Sequence, residues 1–325
     1  MDDDWRPTAS LENIRLRAAL LAKSRQFFAA RNVLEVETPL LSAATVSDPH
    51  LQSFSTCYNG PNLPPDTTLF LQTSPEAAMK RLLAAGSGSI YQLCKAFRDG
   101  ESGARHNPEF TMLEWYRVGF DHFALMDEVE ALVQLLLGID RQFERSSYRA
   151  IFERHLGLDP HHASLGVLWQ CAEAAGISGG LTKGELERDG WLDLLMSQLI
   201  EPQLGARTPV FIYDYPASQA ALATIRPGAV PLAERFELYV TGVELANGYH
   251  ELCDAGELQR RYERDRLLRL ANGEAAPACN RRLQAALGAG LPASSGVALG
   301  FDRLVMLAAR ADSIDEVVVF PVARA

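Results

Sequence analysis

The chain has 325 residues, 47% hydrophobic and 22% charged, a globular balance with material for one large core or two smaller ones. Its formal charge of −10 lacks the basic footprint of a phosphate-backbone binder, and no apolar run is long enough to span a membrane. The acidic start Met1-Asp2-Asp3-Asp4-Trp5-Arg6 lacks the apolar segment of a signal peptide. Cys57, Cys94, Cys171, Cys253 and Cys279 are scattered and never form a C-x-x-C pair, so reduced thiols are expected rather than disulfides or structural zinc. The expectation is a soluble cytoplasmic protein.

In chain order, Leu11, Ile14, Ala18, Leu21 and Phe28 recur at helical spacing, so Leu11 to Ala30 reads as an amphipathic helix. Val33 to Pro39 reads as a short strand stopped by proline. Asn59 to Asp66, rich in proline and asparagine, is a loop. Leu69 to Ser74 is a strand, and Ser74-Pro75-Glu76 opens a helix over Ala77 to Ala85, because proline suits a first helical turn. Glu76 alone is a first-turn acid of the kind the helix dipole favours.

Ile90 to Arg98 and Phe110 to Tyr116 alternate on either side of a polar, glycine-containing loop, which predicts a long antiparallel hairpin. The two-residue period puts Gln92, Cys94, Ala96 and Arg98 on one face of the first arm, and pairs Glu114 with Tyr116 on one face of the second. A merely solvated hairpin explains these charges less well, because they sit among small and apolar residues where an unpaired charge is costly.

Phe123 to Leu137 is a strongly apolar helix. Residues 141–207 read as helical, with breaks near Gly157-Leu158-Asp159-Pro160 and from Gly176 to Gly180. His161-His162 has no neighbouring ligands and reads as surface rather than as a metal site. Strands return at Val210 to Tyr213, and at Phe236 to Val240, which turns at Thr241-Gly242 into Val243 to Leu252. Glu237 and Tyr239 share a face, as do Asn247, Tyr249 and Glu251. Glu244 has the wrong parity to join them, unless a bulge or kink near Ala246-Asn247-Gly248 restores it.

Glu257 to Ala271 is a charged helix and Gly273 to Cys279 a loop. From Ser295 onward, bulky Val297, Leu299 and Phe301 alternate with small Gly296, Ala298 and Gly300. Such a strand packs a core on one side and lets a ligand lie against its backbone on the other. The chain then enters a helix with Arg303 in its first turn.

Pro39 after a helix and strand, Phe97-Arg98 with its hairpin, and Gly300-Phe301-Asp302-Arg303 before a helix resemble, in order and spacing, motifs 1, 2 and 3 of the class II aminoacyl-tRNA synthetases. The runs Arg105 to Met112, Glu237-Leu238, Glu244 to Gly248 and Asp302 to Leu307 look like the lysyl branch. The resemblance covers nearly the whole chain from about Leu11. It implies an α+β class II catalytic core, mainly antiparallel sheet flanked by helices, as a single domain over 1–325 with a helical insertion at about 141–207. Lysyl-tRNA synthetases carry an OB-fold ahead of this core to hold the anticodon loop. Here the core begins almost at the first residue, so no such domain is expected. A free-standing lysyl-type core is similar to the elongation factor P–(R)-β-lysine ligase family, truncated paralogues that attach a β-lysine group to a lysine side chain of the tRNA-shaped elongation factor P.

The resemblance implies roles residue by residue. A substrate carboxylate attacks the α-phosphate of ATP and pyrophosphate leaves, which needs charge neutralisation and in-line positioning more than an enzyme nucleophile. Arg98 matches the arginine that clamps the α-phosphate and carboxylate, and Arg303 the arginine near the γ-phosphate. Asp99, Gly100, His106, Asn107, Glu237, Glu244, Leu245 and Gly300 match the other ATP positions, Glu237 and Glu244 as ligands of Mg2+. Ser74, Pro75, Glu76, Glu114, Tyr116, Asn247 and Glu251 match the substrate pocket for the two ammonium groups of (R)-β-lysine or lysine.

Two positions depart from the lysyl pattern. The usual Arg-x-Glu of motif 2 has Gly100 in place of the glutamate, with Glu101 following. Ala298 stands where lysyl-tRNA synthetases usually carry glycine, which is expected to shift the pocket from α-lysine towards β-lysine. Motif 1 implies a homodimer, and the acidic charge agrees with no stable tRNA binding. Two other readings stay open: a truncated lysyl ligase charging tRNA or another amine acceptor, and a non-catalytic synthetase-like regulator. Intact Arg98, Glu237, Glu244 and Arg303 argue against the second.

Overall fold

The computed structural model describes residues 5–325; Met1 to Asp4 lie outside them. The chain divides into two compact units. One runs to Phe120 and adds Leu132–Ile139 and Leu252–Ala325; the other holds Asp121–Ala131 and Asp140–Glu251.

The first unit opens with helix α1 (Leu11–Ala29), whose first turn is capped by Ser10 accepting from Asn13 N at 3.1 Å. Its buried Phe28 stacks on Tyr91 at 4.3 Å and meets Trp115 edge-on at 5.3 Å, which seats the helix on the hairpin to come. The strand expected over Val33 to Pro39 contracts to β1 (Leu34–Glu35). Strands β2 (Leu41–Ser42), β3 (Ser55–Tyr58) and β4 (Thr67–Leu71) form a small antiparallel sheet in the order β2-β4-β3. Helix α2 (Glu76–Ala84) follows, and then the expected hairpin, β5 (Ile90–Phe97) and β6 (Glu109–Val118), with β1 parallel to the start of β5. Helix α3 (His122–Leu137), whose residues to Ala131 belong to the second unit and the rest to the first, buries Leu125, Met126, Val129, Leu132, Val133 and Leu136 at helical spacing.

The second unit differs from the expected all-helical run at one point. Glu144–Ser147 is a strand, β7, before helices α4 (Tyr148–Leu156), α5 (Leu165–Ala174) and α6 (Arg188–Leu195). Nothing in Glu-Arg-Ser-Ser alternates in polarity. The strand exists because it pairs in parallel with β8 (Val210–Pro216), a tertiary contact that local pattern does not encode. Gly157 ends α4 in the left-handed conformation at φ 67°, as the predicted break requires. The helices bury Phe152, Leu168, Trp191 and Leu195 with Ile212 of β8. Strands β9 (Ile225–Arg226), β10 (Leu232–Val240) and β11 (Val243–His250) complete the unit's sheet, β11-β10-β8-β7, with β9 on β10. The β10–β11 turn has Thr241 at φ 49° and Gly242 at φ 71°, the paired positive angles of a two-residue hairpin loop.

The chain returns to the first unit with α7 (Ala255–Ala271), capped by Asp254, and α8 (Arg281–Gly290), a helix that the sequence pattern did not announce. Strand β12 (Ser294–Gly300) pairs antiparallel with β6, and α9 (Phe301–Ala309) leaves from its end. The first unit's sheet is therefore ordered β1-β5-β6-β12. Both units show the expected α+β character, mostly antiparallel strands with flanking helices. Among the described residues, no helix is long and apolar enough to cross a membrane.

Candidate active site

Register across β5, β6 and β12 sorts the first unit's sheet into two faces. Gln92, Glu114 and Ala298 form one cross-strand row, Ile90, Tyr116 and Gly296 the row beside it, and Cys94, Met112 and Gly300 the row on the other side. Directly opposed residues point to the same side of a sheet. Glu114 and Tyr116 therefore share a face with the small residues of β12, while Trp115, Leu113, Val297 and Leu299 fill the core on the other. The alternation read from the sequence is the alternation of the fold.

Glu114 is only 2% exposed and its carboxylate is held from both sides. Ser74 Oγ donates to Oε2 at 2.6 Å and Tyr116 Oη to Oε1 at 2.7 Å, short charge-assisted bonds. Ser74 Oγ also accepts from Glu76 N at 3.0 Å, so the chain entering α2 is pinned to the same carboxylate. Pro75 sits at the helix boundary with φ −75°. Glu76 gives its carboxylate to buried Lys80 at 2.5 Å, one helical turn along. Cys94, in the row beside Glu114, has its thiol pushed up to about 12 by burial and then by the Glu114 charge. It is no thiolate nucleophile.

Arg98 follows β5, with Phe110 under its guanidinium at 5.1 Å and Glu101 Oε1 3.6 Å from Nη1. Asp99 N donates to Gln52 O at 2.9 Å, and Gly100 has φ 79°. The loop closes through a Gly103–His106 bridge. Arg303 Nη2 lies 2.6 Å from His106 Nε2. A guanidinium can only donate, so Nε2 accepts and the ring proton belongs on Nδ1. Burial and then the Arg303 charge lower the His106 pKa below the ordinary histidine value and keep the ring neutral.

Asn107 is engaged with backbone at both ends of its amide: Nδ2 donates to Glu109 O at 2.6 Å and Oδ1 accepts from Val322 N at 2.9 Å. A Cβ at Gly300 would lie 3.5 Å from the Arg303 side chain, so the glycine leaves the strand backbone open beside that arginine. The motif residue Asp302 has a structural task that the sequence did not suggest. Buried at 3% exposure, it accepts from Arg17 Nη1 and Thr111 N, both at 2.5 Å, and Arg17 Nη2 also donates to Thr111 Oγ1 at 2.7 Å. That network ties α1, β6 and α9 together.

In the second unit the parity conflict at Glu244 resolves. The pairing runs Glu237↔Asn247, Leu238↔Ala246, then Tyr239↔Glu244. Leu245 is thus the extra residue of a bulge, one place before the expected stretch, and Glu244 turns onto the face of Glu237, Tyr239 and Asn247. Glu237 is saturated: Oε2 accepts from Tyr215 Oη at 2.7 Å and Tyr239 Oη at 2.5 Å, and Oε1 from Arg235 Nη2 at 2.5 Å and Asn247 Nδ2 at 3.1 Å. Burial and then the nearby Glu237 charge raise both phenols well above their ordinary value, so they stay protonated donors. Arg235 and Tyr239 could have been found from the two-residue period around Glu237. Tyr215 could not, because only the β8–β10 pairing brings it there. Buried Glu251 lies past β11, bridged to Ala223, with Thr224 Oγ1 donating to its carbonyl at 2.9 Å.

The sheet, the hairpin arginine and the glycine-ended strand leading into an arginine-bearing helix define a class of protein. The profile of the family described as tRNA synthetases class II (D, K and N) matches residues 3–324, so the chain belongs to the class II synthetases and is a ligase. A protein of Vibrio cholerae serotype O1 is 53% identical over 324 residues, 100% of this chain and 99% of its own length. One from Vibrio vulnificus is 51% identical over 321 residues, 99% of each chain. One from Pseudoalteromonas translucida is 52% identical over 321 residues, 99% of this chain and 98% of its own. All three are named elongation factor P–(R)-β-lysine ligase, and it is to their family within the class II synthetases that this chain belongs.

Proposed function

We propose that the protein activates (R)-β-lysine, or lysine, with ATP as an aminoacyl adenylate and transfers the acyl group to the side-chain amine of a lysine on elongation factor P, with AMP as the leaving group. The observation that carries the chemistry is the Glu114 row: a buried carboxylate, pre-ordered by two hydroxyls, beside a strand that contributes only Gly296, Ala298 and Gly300 to that face. Such a site has a charge to offer an ammonium group, and β12 adds no bulk beside it. The full-length relatives named for this reaction support the acceptor.

In this reading the lysine carboxylate attacks the α-phosphorus and pyrophosphate departs. Arg98 offsets the negative charge that gathers there, and Arg303, steadied by neutral His106, meets the outer phosphates. Ser74, Pro75, Glu76, Glu114, Tyr116, Asn247 and Glu251 recognise the substrate. Asp99, Gly100, Asn107, Leu245 and Gly300 border the nucleotide. Glu237 and Glu244, two carboxylates turned onto one face by the Leu245 bulge, suit Mg2+ by their chemistry and would hold it. Four protein donors already order the Glu237 carboxylate. Bound there, magnesium would neutralise phosphate charge.

The protein is also proposed to be cytoplasmic, to form a homodimer through the motif 1 elements, and to bind no tRNA stably. The test is mass spectrometry of elongation factor P incubated with the protein, ATP and each lysine isomer. A lysyl-sized mass gain on one lysine, absent without ATP, is expected. Transfer to tRNA and none to elongation factor P would overturn the proposal.

A further inference from the structure

We infer that Glu101 is the positioning residue for Arg98, brought into place by a left-handed turn at Gly100, and that it leaves the Nε–Nη2 edge of the guanidinium as the edge presented to a ligand anion. The functional consequence rests on the reaction proposed above; the positioning itself rests on the geometry of the loop.

Gly100 stands where the lysyl pattern carries glutamate. Its φ of +79° lies in the left-handed region, and a Cβ there would meet nothing within 4 Å. Backbone conformation, not space, is what asks for glycine, and a glutamate would be strained. The turn carries the next residue back, so Glu101 Oε1 reaches 3.6 Å from Arg98 Nη1. The one-residue shift in spacing is absorbed by the turn.

The loop is fastened along its length. Arg98 N donates to Pro108 O at 2.9 Å, Asp99 N to Gln52 O at 2.9 Å, and Ile314 N to Ala104 O at 2.8 Å. Within that frame the guanidinium has Glu101 at Nη1 and the Phe110 ring across a face at 5.1 Å. Its Nε is buried and, among the described residues, has no hydrogen-bond partner. A planar guanidinium makes paired bonds to carboxylate or phosphate through two adjacent N–H groups. Glu101 and Phe110 leave the Nε–Nη2 pair for that use. The ion pair is partly exposed, at 27% and 29% of the two side chains, where such pairs add little stability. Its effect is orientation.

Two measurements test this. In the ligand-free protein, nitrogen-15 guanidinium NMR reads the ordering of Arg98. Glu101→Gln should speed its side-chain motion and Glu101→Asp should restore part of the order; unchanged motion in Glu101→Gln overturns the inference whatever the enzyme activates. In lysine-dependent pyrophosphate exchange, Glu101→Gln and Gly100→Ala should each lower kcat/KM for ATP roughly tenfold to a hundredfold, the scale of a lost catalytic alignment, without moving the thermal midpoint in Glu101→Gln. In an Arg98→Lys background Glu101→Gln should add no further loss, because the two act as one unit. Full additivity there, or wild-type kinetics in Glu101→Gln, overturns the inference. A wild-type protein that exchanges with no lysine isomer refutes the proposed reaction instead, and the NMR result then decides the positioning alone.

Discussion

Replacing Glu114 by Gln removes a charge from the row while keeping its volume. Two hydroxyls, Ser74 at 2.6 Å and Tyr116 at 2.7 Å, now donate to the carboxylate. In the variant one can still donate to the amide oxygen, and the other can turn to accept from the amide nitrogen. Each bond falls from charge-assisted, about 1.5–3 kcal/mol, to neutral, about 0.5–1.5 kcal/mol, so folding should lose about 2 kcal/mol in all. The protein should stay folded. Binding should suffer more, because an ammonium group that meets a buried carboxylate loses about 2–5 kcal/mol when that charge is removed. That is roughly 30-fold to 4,000-fold in Kd. Calorimetric titration of wild type and Glu114→Gln with (R)-β-lysine and lysine measures it, with norleucine as the analogue that lacks the side-chain ammonium. A variant that binds both lysines as tightly as wild type would refute the assignment of Glu114 to ammonium recognition.

Three further outcomes are expected. Ala298 lies directly across from Glu114, so Ala298→Gly should move the preference from β-lysine towards α-lysine by about 1–3 kcal/mol; pyrophosphate exchange with each isomer measures the ratio, and an unchanged ratio counts against the idea. Asp302→Ala removes the counter-charge of Arg17 and the acceptor of the Thr111 N–H and should cost about 3–5 kcal/mol of stability, read as a lower urea midpoint; an unmoved midpoint removes Asp302 from the list of structural anchors. Burial holds His106, His122, His155 and His161 below the ordinary value of 6.5. The folded chain then binds fewer protons than the unfolded one as pH falls through 6.5. Stability from these histidines should be present above that pH and decline below it, and a urea midpoint that rises as the pH is lowered from 7 to 5.5 would contradict this sign.

Much of the site is legible in the one-dimensional pattern. A two-residue period is a local property of extended backbone, and it suffices to pair Glu114 with Tyr116, to set Gly296, Ala298 and Gly300 opposite the core-facing Val297 and Leu299, and to expose the misfit of Glu244. The misfit even demanded a bulge, which the fold supplies at Leu245. What local pattern does not contain is which strands become neighbours and what each side chain finds there. Glu144–Ser147 is a strand only because β8 lies alongside. Glu237 is saturated because Tyr215 arrives from another strand, Asp302 is an anchor because Arg17 arrives from a distant helix, and Glu76 meets a buried Lys80 that sequence spacing permits but does not require. The faces of the strands and the identity of the charged groups follow from periodicity and side-chain chemistry, and the class of fold from the resemblance of three motifs to a known family. How each charge is satisfied is a property of the folded chain, because a carboxylate's partners are set by long-range pairing and by the cost of leaving any of them unpaired in the interior.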